Sequence, residues 1–167
     1  YETDIELLKK LGVKSYRFSF SWSRIIPDGV GEVNQAGIEY YKKLIKGLKE
    51  AGIKPNATIY HWDLPYALQV RGGFGNRDIV KWYLHYAEIL FDNFGEDVDM
   101  WVTFNEPIAV YVGHALGWFA PGIKDEAYAR QCLHNLLVCH GEAVKLFRSK
   151  NLANAQIGIV VDVWKHY

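Results

Sequence analysis

Hydrophobic residues along this chain form two kinds of pattern that alternate from one end to the other: a helical spacing of three to four residues, and short apolar runs typical of strands. Three stretches, around residues 38–48, 79–90 and 133–147, repeat apolar positions every three or four residues, and residues 4–13 resemble the end of a further amphipathic helix. Each of the three stretches predicts a helix with one buried face. The residues predicted to face inward are Ile38, Tyr41, Leu44, Ile45 and Leu48, then Ile79, Trp82, Tyr83, Tyr86 and Leu90, then Leu133, Leu136, Leu137, His140, Val144 and Phe147.

Short apolar runs between these stretches predict four β-strands. They are residues 15–22 (SYRFSFSW), 54–62 (KPNATIYHW), 99–107 (DMWVTFNEP) and 155–164 (AQIGIVVDVW). Gly and Pro mark the turns after the strands, and the third strand is followed by a long Gly-containing loop that ends at residues 120–122 (APG). Strands that alternate with helices through such turns are typical of parallel β/α units.

Four such units predict an α/β fold that corresponds to half of a (β/α)8 TIM barrel. A doubly wound sheet more often carries a Gly-rich phosphate-binding turn after its first strand, and neither a GxGxxG motif nor a P-loop occurs in the sequence. The chain opens inside a helical pattern and ends at a strand. We therefore expect residues 1–167 to form one partial catalytic domain that is truncated at both ends.

Composition narrows the range of functions. Half of the residues are hydrophobic, which supplies a packed core and argues against disorder. Acidic and basic residues balance at 19 each and are interspersed, so no basic face indicates nucleic acid. No apolar run is long enough to predict a transmembrane helix. We therefore expect a small-molecule substrate, with neither nucleic acid nor a membrane as a partner.

The two cysteines predict neither a disulfide nor a metal site. Cys132 and Cys139 lie seven residues apart in a helical stretch, which separates them by roughly 10 Å along the axis, too far for a bridge. His134 and His140 are nearby, but the spacing matches no common set of metal ligands. Two free thiols favour a reducing compartment, and the predicted location is therefore cytoplasmic.

Candidate chemistry clusters at or near the carboxyl ends of the predicted strands, where a β/α barrel builds its active site. Arg17, His61, Trp62, Asn105 and Glu106 all occupy such positions, although Arg17 lies in mid-strand. Glu106 is the candidate catalytic acid, because a carboxyl group at a strand end beside Asn105 and aromatic residues suits the proton donor that glycosidic bond cleavage requires.

That chemistry also requires a second carboxylate, and no equally persuasive partner occurs in the chain. Asp63 and Asp162 are the only other acids near strand ends. A bonding role within its loop suits Asp63 better, and Asp162 falls inside the predicted fourth strand. Neither is a good candidate nucleophile.

Six motifs occur in a characteristic order and spacing: YRFSFSWSRI, VNQAGIEYYKKLI, YHWDLP, RGGFGN, TFNEP and GHALGWFAPG. Together they resemble glycoside hydrolase family 1, the β-glucosidase family, over essentially the whole chain. NEP alone occurs across many related barrel glycosidases, whereas YHWDLP ahead of GGFGN and then TFNEP is narrow. The resemblance implies the N-terminal half-barrel segment of a TIM barrel, with strands 2 to 5.

The resemblance also implies a role for each candidate residue. Glu106 matches the general acid/base, and Asn105 matches the residue that hydrogen-bonds the sugar 2-hydroxyl. His61 and Trp62 match residues that line the site of the terminal sugar. Arg17 matches the arginine that orients the nucleophilic glutamate. No metal or organic cofactor is implied.

Parts of the family's equipment are absent from residues 1–167. A glutamine that holds two sugar hydroxyls would precede Tyr1, and the nucleophile in an ENG motif would follow Tyr167. Ile108 stands where many members have a tryptophan that stacks on the leaving group, which puts the leaving-group preference in doubt. His114 and Trp118 match no catalytic role and are predicted to be packing residues.

Two functional hypotheses follow. The first is a retaining β-glycosidase of the β-glucosidase type that releases terminal β-linked sugars from oligosaccharides or from aryl or alkyl glycosides. The isolated chain would be inactive for lack of the nucleophile. The second is an inactive half-barrel that acts as a scaffold or self-association module. Its expected partner is the C-terminal half of the barrel or a second half-barrel.

Plainer structural roles also stay open for the candidate residues. Glu106 could be a strand-end carboxylate bonded to a neighbouring arginine, and Asn105 a turn former. His61 and Trp62 could form a hydrogen-bonded pair in the core, and Arg17 could serve only as a structural ion-pair partner.

Overall fold

The computed structural model describes residues 1–152 and 154–163. Helices and strands alternate along this part of the chain. In chain order they are α1 (Glu2–Leu11), β1 (Ser15–Ser19), α2 (Trp22–Ile25), α3 (Gln35–Glu50), β2 (Lys54–Tyr60), α4 (Tyr66–Val70), a 3-10 turn (Gly73–Gly75), α5 (Ile79–Phe94), β3 (Met100–Asn105), α6 (Pro107–Leu116), α7 (Glu126–Ser149) and β4 (Gln156–Val160).

Within the described residues the strands form one four-stranded sheet in the order β1-β2-β3-β4, and every neighbouring pair is parallel. Arg17 in β1 pairs with Asn56 in β2, and Asn56 pairs with Met100 in β3. The register between β3 and β4 is irregular between Val102 and Asn105. The prediction of parallel β/α units is confirmed. The carboxyl ends of all four strands consequently lie along one edge of the sheet.

One face of the sheet packs against the long helices through aromatic side chains. Phe20, just after β1, contacts Tyr41 of α3 and Trp101 of β3. Trp101 in turn contacts Phe91 of α5. The alternate positions of β1, among them Arg17, are exposed on the opposite face. Burial of these large rings on a single face supplies the hydrophobic stabilisation of the layer.

The predicted inward faces of the first two long helices agree with the structure, and the third is rotated. All five predicted residues of α3 are buried, and so are those of α5 except Trp82, which is half-buried. In α7 the predicted Leu136 and Phe147 are buried, and Leu133, His140 and Val144 are half-buried, but Leu137 is 48% exposed. The fully buried face consists of Ala129, Cys132, Asn135, Leu136, Cys139, Ala143 and Phe147.

Asn135 explains part of that rotation. Its Nδ2 donates to the carbonyl of Phe74 (2.7 Å), and its Oδ1 accepts from Arg77 (3.2 Å) and Gln131 (3.0 Å). A polar residue can be buried when its hydrogen bonds are satisfied, and that condition is invisible to a hydrophobic pattern. The two cysteines are buried and free, which confirms the prediction that they do not bridge.

All four strands end earlier than the sequence predicts. The first strand stops at Ser19, because α2 begins at Trp22. The backbone N–H of Trp22 donates to Asp63 (2.9 Å), and the Trp22 ring stacks on Tyr86. The second ends at Tyr60 and the third at Asn105. The fourth ends at Val160, so the placement of Asp162 inside a strand is wrong. Trp164 lies outside the described residues.

The loop predicted after the third strand contains a helix, α6. Pro107 occupies its first turn, a position where the missing N–H of proline costs no hydrogen bond. The segment is apolar almost throughout, so no helical period stands out against a polar face. Pro107, Ala109, Val110, Gly113 and His114 are buried, whereas Ile108 is exposed.

Candidate active site

Arg17 joins three strands near the carboxyl edge of the sheet. From the middle of β1 its Nε donates to Oγ1 of Thr58 in β2 (2.9 Å), and its Nη2 donates to Oδ1 of Asn105 at the end of β3 (2.5 Å). A guanidinium group only donates, so the amide oxygen of Asn105 must face Arg17. The Nδ2 group of Asn105 is then the part of that side chain that can donate to a ligand.

Glu106 follows β3 directly and has an unusual backbone. Its φ of 46° and ψ of 75° lie in the left-handed region, which costs a residue other than glycine about 1–3 kcal/mol. The Glu106 N–H donates to the carbonyl of Val160 (2.8 Å), and its carbonyl accepts from Ala109 in α6 (2.9 Å). Bonds to β4 and to α6 therefore hold the strained backbone, and such strain concentrates at functional sites.

The Glu106 side chain is half-buried, and it takes part in none of the salt bridges found among the described residues. The guanidinium group of Arg17 is engaged with Asn105 and Thr58 instead. The alternative of a carboxylate held by a neighbouring arginine therefore lacks support.

Trp62 is an exposed wall of the site and not a core residue. Its side chain is 43% exposed, and its backbone is also left-handed, with a φ of 71°. The indole Nε1 donates to the backbone carbonyl of Asn105 (3.0 Å), and the ring stacks on Phe119 with centroids 5.6 Å apart. His61 is exposed and presents an edge to Trp62 at 5.0 Å. The alternative of a buried His61–Trp62 pair is therefore wrong.

His61 lies in the electrostatic field of both other candidates. Partial burial lowers the pKa of His61 below its usual value of 6.5, the positive charge of Arg17 lowers it further, and the negative charge of Glu106 opposes both. The imidazole is consequently neutral at neutral pH, where one ring nitrogen donates and the other accepts. A neutral ring of this kind suits hydrogen bonds to sugar hydroxyls.

Asp63 anchors the loop that carries His61 and Trp62. Its Oδ2 accepts from the backbone N–H of Trp22 at the start of α2 (2.9 Å). Burial raises the pKa of the Asp63 carboxyl, although the hydrogen bond from Trp22 opposes the shift. This agrees with the bonding role predicted for Asp63. Asp162, the other acid considered, is exposed beyond the end of β4.

Sequence reasoning missed two residues of the site. Thr58 accepts a hydrogen bond from Arg17. Arg17 pairs with Asn56 in the neighbouring strand, and Thr58 lies two residues later on the same face of the sheet, so the strand alternation could have indicated it. Phe119 stacks on Trp62, and no periodicity marks it. His114 is buried as predicted, but Trp118 is 69% exposed, so its prediction as a packing residue is wrong.

The structure also bears on metal sites and membrane-spanning segments. Within residues 1–152 and 154–163, no group of three or more His, Cys, Asp or Glu side chains is arranged to hold a metal ion. In the same part of the chain no helix is both long enough and apolar enough to cross a bilayer.

Comparison with known proteins places these features in context. The family model described as Glycosyl hydrolase family 1 matches residues 1–167. Beta-glucosidase A of Acetivibrio thermocellus is 51% identical over 168 residues, which cover 100% of this chain and 37% of that protein. Beta-glucosidase A of Thermotoga maritima is 51% identical over 163 residues, which cover 97% of this chain and 36% of that protein.

Solved structures agree with the sequence matches. The beta-glucosidase from Thermotoga maritima in complex with castanospermine superposes with a TM-score of 0.93 at 51% identity, over 96% of this chain and 36% of that chain. The same enzyme in complex with deoxynojirimycin also gives a TM-score of 0.93. The prediction of a partial TIM barrel is therefore confirmed. The chain spans little more than a third of the length of these relatives.

Proposed function

Because this chain belongs to glycosyl hydrolase family 1, we propose that it is the part of a retaining β-glycosidase that carries the general acid/base, Glu106. The substrate class is a terminal β-linked sugar on an oligosaccharide or on an aryl or alkyl group. The proposal draws its main support from one observation: Arg17 and Trp62 both donate hydrogen bonds to Asn105, the residue before Glu106, in a chain that matches the family model from end to end.

The reaction consists of two displacements. Glu106 donates its proton to the departing glycosidic oxygen while a carboxylate on the opposite side attacks the anomeric carbon and forms a glycosyl-enzyme ester. Glu106, now ionised, then takes a proton from water as that water breaks the ester bond. The two carboxyl groups must be about 5–5.5 Å apart for this mechanism. We propose that the attacking carboxylate comes from outside residues 1–167.

The remaining candidates position the sugar. The Nδ2 group of Asn105 is free of Arg17 and donates to the 2-hydroxyl, a contact that strengthens as charge develops at the anomeric carbon. His61, neutral at neutral pH, bonds a ring hydroxyl. Trp62 forms an apolar wall. Arg17 orients the attacking carboxylate and at the same time fixes the amide of Asn105. No step requires a metal or an organic cofactor.

Substitution of Glu106 tests the proposal in the complete polypeptide that contains this segment. Glu106→Ala removes proton donation, so hydrolysis of cellobiose should fall about 10²–10⁴-fold. Formation of the ester from an aryl β-glucoside with a good leaving group should persist, because that step needs little protonation. Added azide should then attack the ester and yield a β-glycosyl azide.

Glu96→Ala, at an exposed acidic position, is the matched control and should leave both reactions unchanged. Wild-type hydrolysis of cellobiose by Glu106→Ala would show that Glu106 is not the acid/base.

A second candidate function is a self-association module, and the sheet supplies its support. Among the described strands, β1 pairs only with β2 and β4 pairs only with β3, so both present an unpaired edge. Met100, an apolar residue of β3, is 44% exposed. Unpaired edges of this kind favour pairing with another sheet.

A further inference from the structure

Thr58 is a polar residue in an otherwise apolar part of β2. Its side chain is fully buried, and so are those of the neighbouring Ala57 and Ile59. Burial of a hydroxyl group is unfavourable unless the group makes a hydrogen bond, whereas valine has nearly the same shape and would carry no such cost. The Oγ1 atom of Thr58 accepts from Nε of Arg17 (2.9 Å). The bond to Arg17 is therefore what the hydroxyl contributes at this position.

The guanidinium group of Arg17 is held at two points. Besides the bond from Nε to Thr58, its Nη2 donates to Oδ1 of Asn105 (2.5 Å). Arg17 occupies an exposed position of β1 and takes part in none of the salt bridges found among the described residues. Because the group is planar, two bonds on different nitrogens fix both its position and its rotation. Without the bond to Thr58, the group would be free to turn about the remaining one.

Arg17 in turn determines which end of the Asn105 amide faces the site. The oxygen and nitrogen ends of an amide have nearly the same size, but a flipped Asn105 would place Nδ2 against the guanidinium group, so that a donor would face a donor. In the observed orientation Nδ2 makes no hydrogen bond to the described residues, and it is not among their buried atoms that lack a partner, so it is open to a ligand. A fixed Arg17 enforces this orientation, whereas a mobile one would not.

We propose that Thr58 is a positioning residue that sets how strongly the 2-hydroxyl of the sugar is recognised. Its hydroxyl fixes Arg17, Arg17 fixes the amide of Asn105, and Nδ2 of Asn105 is then held ready to donate to the 2-hydroxyl. Thr58 acts through these two residues and needs no contact with the substrate. The inference rests on the contact between Asn105 and the 2-hydroxyl that is part of the proposed function.

The test measures kcat/KM of the complete polypeptide for 4-nitrophenyl β-glucoside and for its 2-deoxy counterpart. The two substrates differ in intrinsic reactivity, but that difference is the same for every variant, so the ratio of the two kcat/KM values can be compared between variants. Thr58→Val keeps the shape of the side chain and removes the acceptor, and the ratio of glucoside to 2-deoxy glucoside should fall about tenfold. Thr58→Ser restores the hydroxyl and should keep the ratio within about twofold of wild type.

Thr103→Val is the matched control. Thr103 is also a fully buried threonine, in the neighbouring strand β3, but its hydroxyl donates to the carbonyl of Gly158 (3.1 Å) and lies 2.8 Å from Nδ1 of His140. The same substitution there removes a buried hydroxyl that does not bond to Arg17. Because a general loss of stability should affect both substrates equally, the ratio should stay at its wild-type value.

A second comparison checks the route from Thr58 to the sugar. In an Asn105→Ala background, Thr58→Val should change the ratio no further, because the proposed pathway ends at Asn105. If Thr58→Val does not fold, Thr58→Ala, which also lacks an acceptor, takes its place in both comparisons.

A wild-type ratio in Thr58→Val, an equal fall in Thr103→Val, or a further fall in the Asn105→Ala background would overturn the role of Thr58 and leave the proposed function intact. If wild type and Asn105→Ala instead gave the same ratio, the proposed contact between Asn105 and the 2-hydroxyl would be wrong, and the inference would fail with it.

Discussion

Arg17 shows how one residue organises a site from a mid-strand position. Its side chain is long enough to reach Asn105 at the strand edge, while Thr58 holds the Nε end. The planar guanidinium makes both bonds at once, which fixes its orientation and that of the Asn105 amide. These contacts are structural, and they also orient the amide of Asn105; the role proposed for Arg17 toward the attacking carboxylate is additional to them.

Asp63 is a carboxyl group whose ionisation affects the stability of the loop beside the site. Its pKa is raised by burial above the ordinary value of 3.8, so the folded state takes up the proton at higher pH than the unfolded chain does. The stabilisation linked to this proton is present below the ordinary pKa and is lost as pH rises through the raised one. At neutral pH the buried charge therefore lowers the free energy of unfolding.

The gain in stability of Asp63→Asn over wild type should accordingly be larger at neutral pH than in acid. The amide oxygen can still accept from Trp22, but it carries no charge to bury. Urea unfolding of both proteins between neutral pH and about pH 3 measures the difference, which should shrink as pH falls. Asp28→Asn, at an exposed turn position, serves as the control. A constant difference between Asp63→Asn and wild type across the range would contradict the linkage.

At the scale of elements, the connections after the strands determine what the site contains. The short helix α2 turns the chain after β1 and packs against α3 at Gly37. A Cβ atom at position 37 would lie 2.2 Å from the carbonyl oxygen of Arg24, so only glycine permits this approach. The segment that leaves β1 is thereby fixed beside the loop that Asp63 anchors.

Two glycine substitutions in helices test this packing. Gly37→Ala should lower the free energy of unfolding by about 1–3 kcal/mol, because the backbone of α2 and α3 must separate. Gly141→Ala in α7 is the matched control, since a Cβ there meets no atom within 4 Å. It should stabilise the protein by roughly 0.5–1 kcal/mol through helix propensity. Thermal or urea unfolding measures both. A stabilising Gly37→Ala would show that the two helices do not approach as closely as described.

At the scale of the whole molecule, the chain is a part of a TIM barrel whose sheet has two unpaired edges, β1 and β4, within the described residues. One face is covered by helices, and the other carries polar positions such as Arg17 that a closed barrel would turn inward. The helix-covered face supplies the core, whereas the site at the strand ends faces the open side.

The denatured mass of the natural polypeptide decides between the two proposed functions. A mass well above that of 167 residues would make this segment part of a larger glycosidase, and aryl β-glucosides should then be hydrolysed. A mass equal to 167 residues should be accompanied by concentration-dependent association in sedimentation and by no hydrolysis. A 167-residue protein that stays monomeric at every concentration would contradict the self-association module. Hydrolysis by such a protein would contradict the proposal that the attacking carboxylate comes from outside residues 1–167.

The sequence alone was sufficient for the order of the four strands and the long helices, for the buried faces of α3 and α5, and for the family. These features depend on the local periodicity of hydrophobic residues and on short motifs, and both can be recognised directly in the sequence. Glu106 was placed at a strand end for the same reason, because the apolar run before it ends there.

Only the tertiary structure decided how the candidates meet. Arg17 and Asn105 are 88 residues apart, and Trp62 and Asn105 are 43 apart, so no local pattern could indicate their hydrogen bonds. The left-handed backbone at Glu106 depends on the carbonyl of Val160 in another strand. The inward face of α7 was predicted only in part, because buried Asn135 is stabilised by a partner distant in sequence. Hydrophobic periodicity indicates which residues prefer to be buried. The site depends instead on which residues come into contact once the sheet has formed.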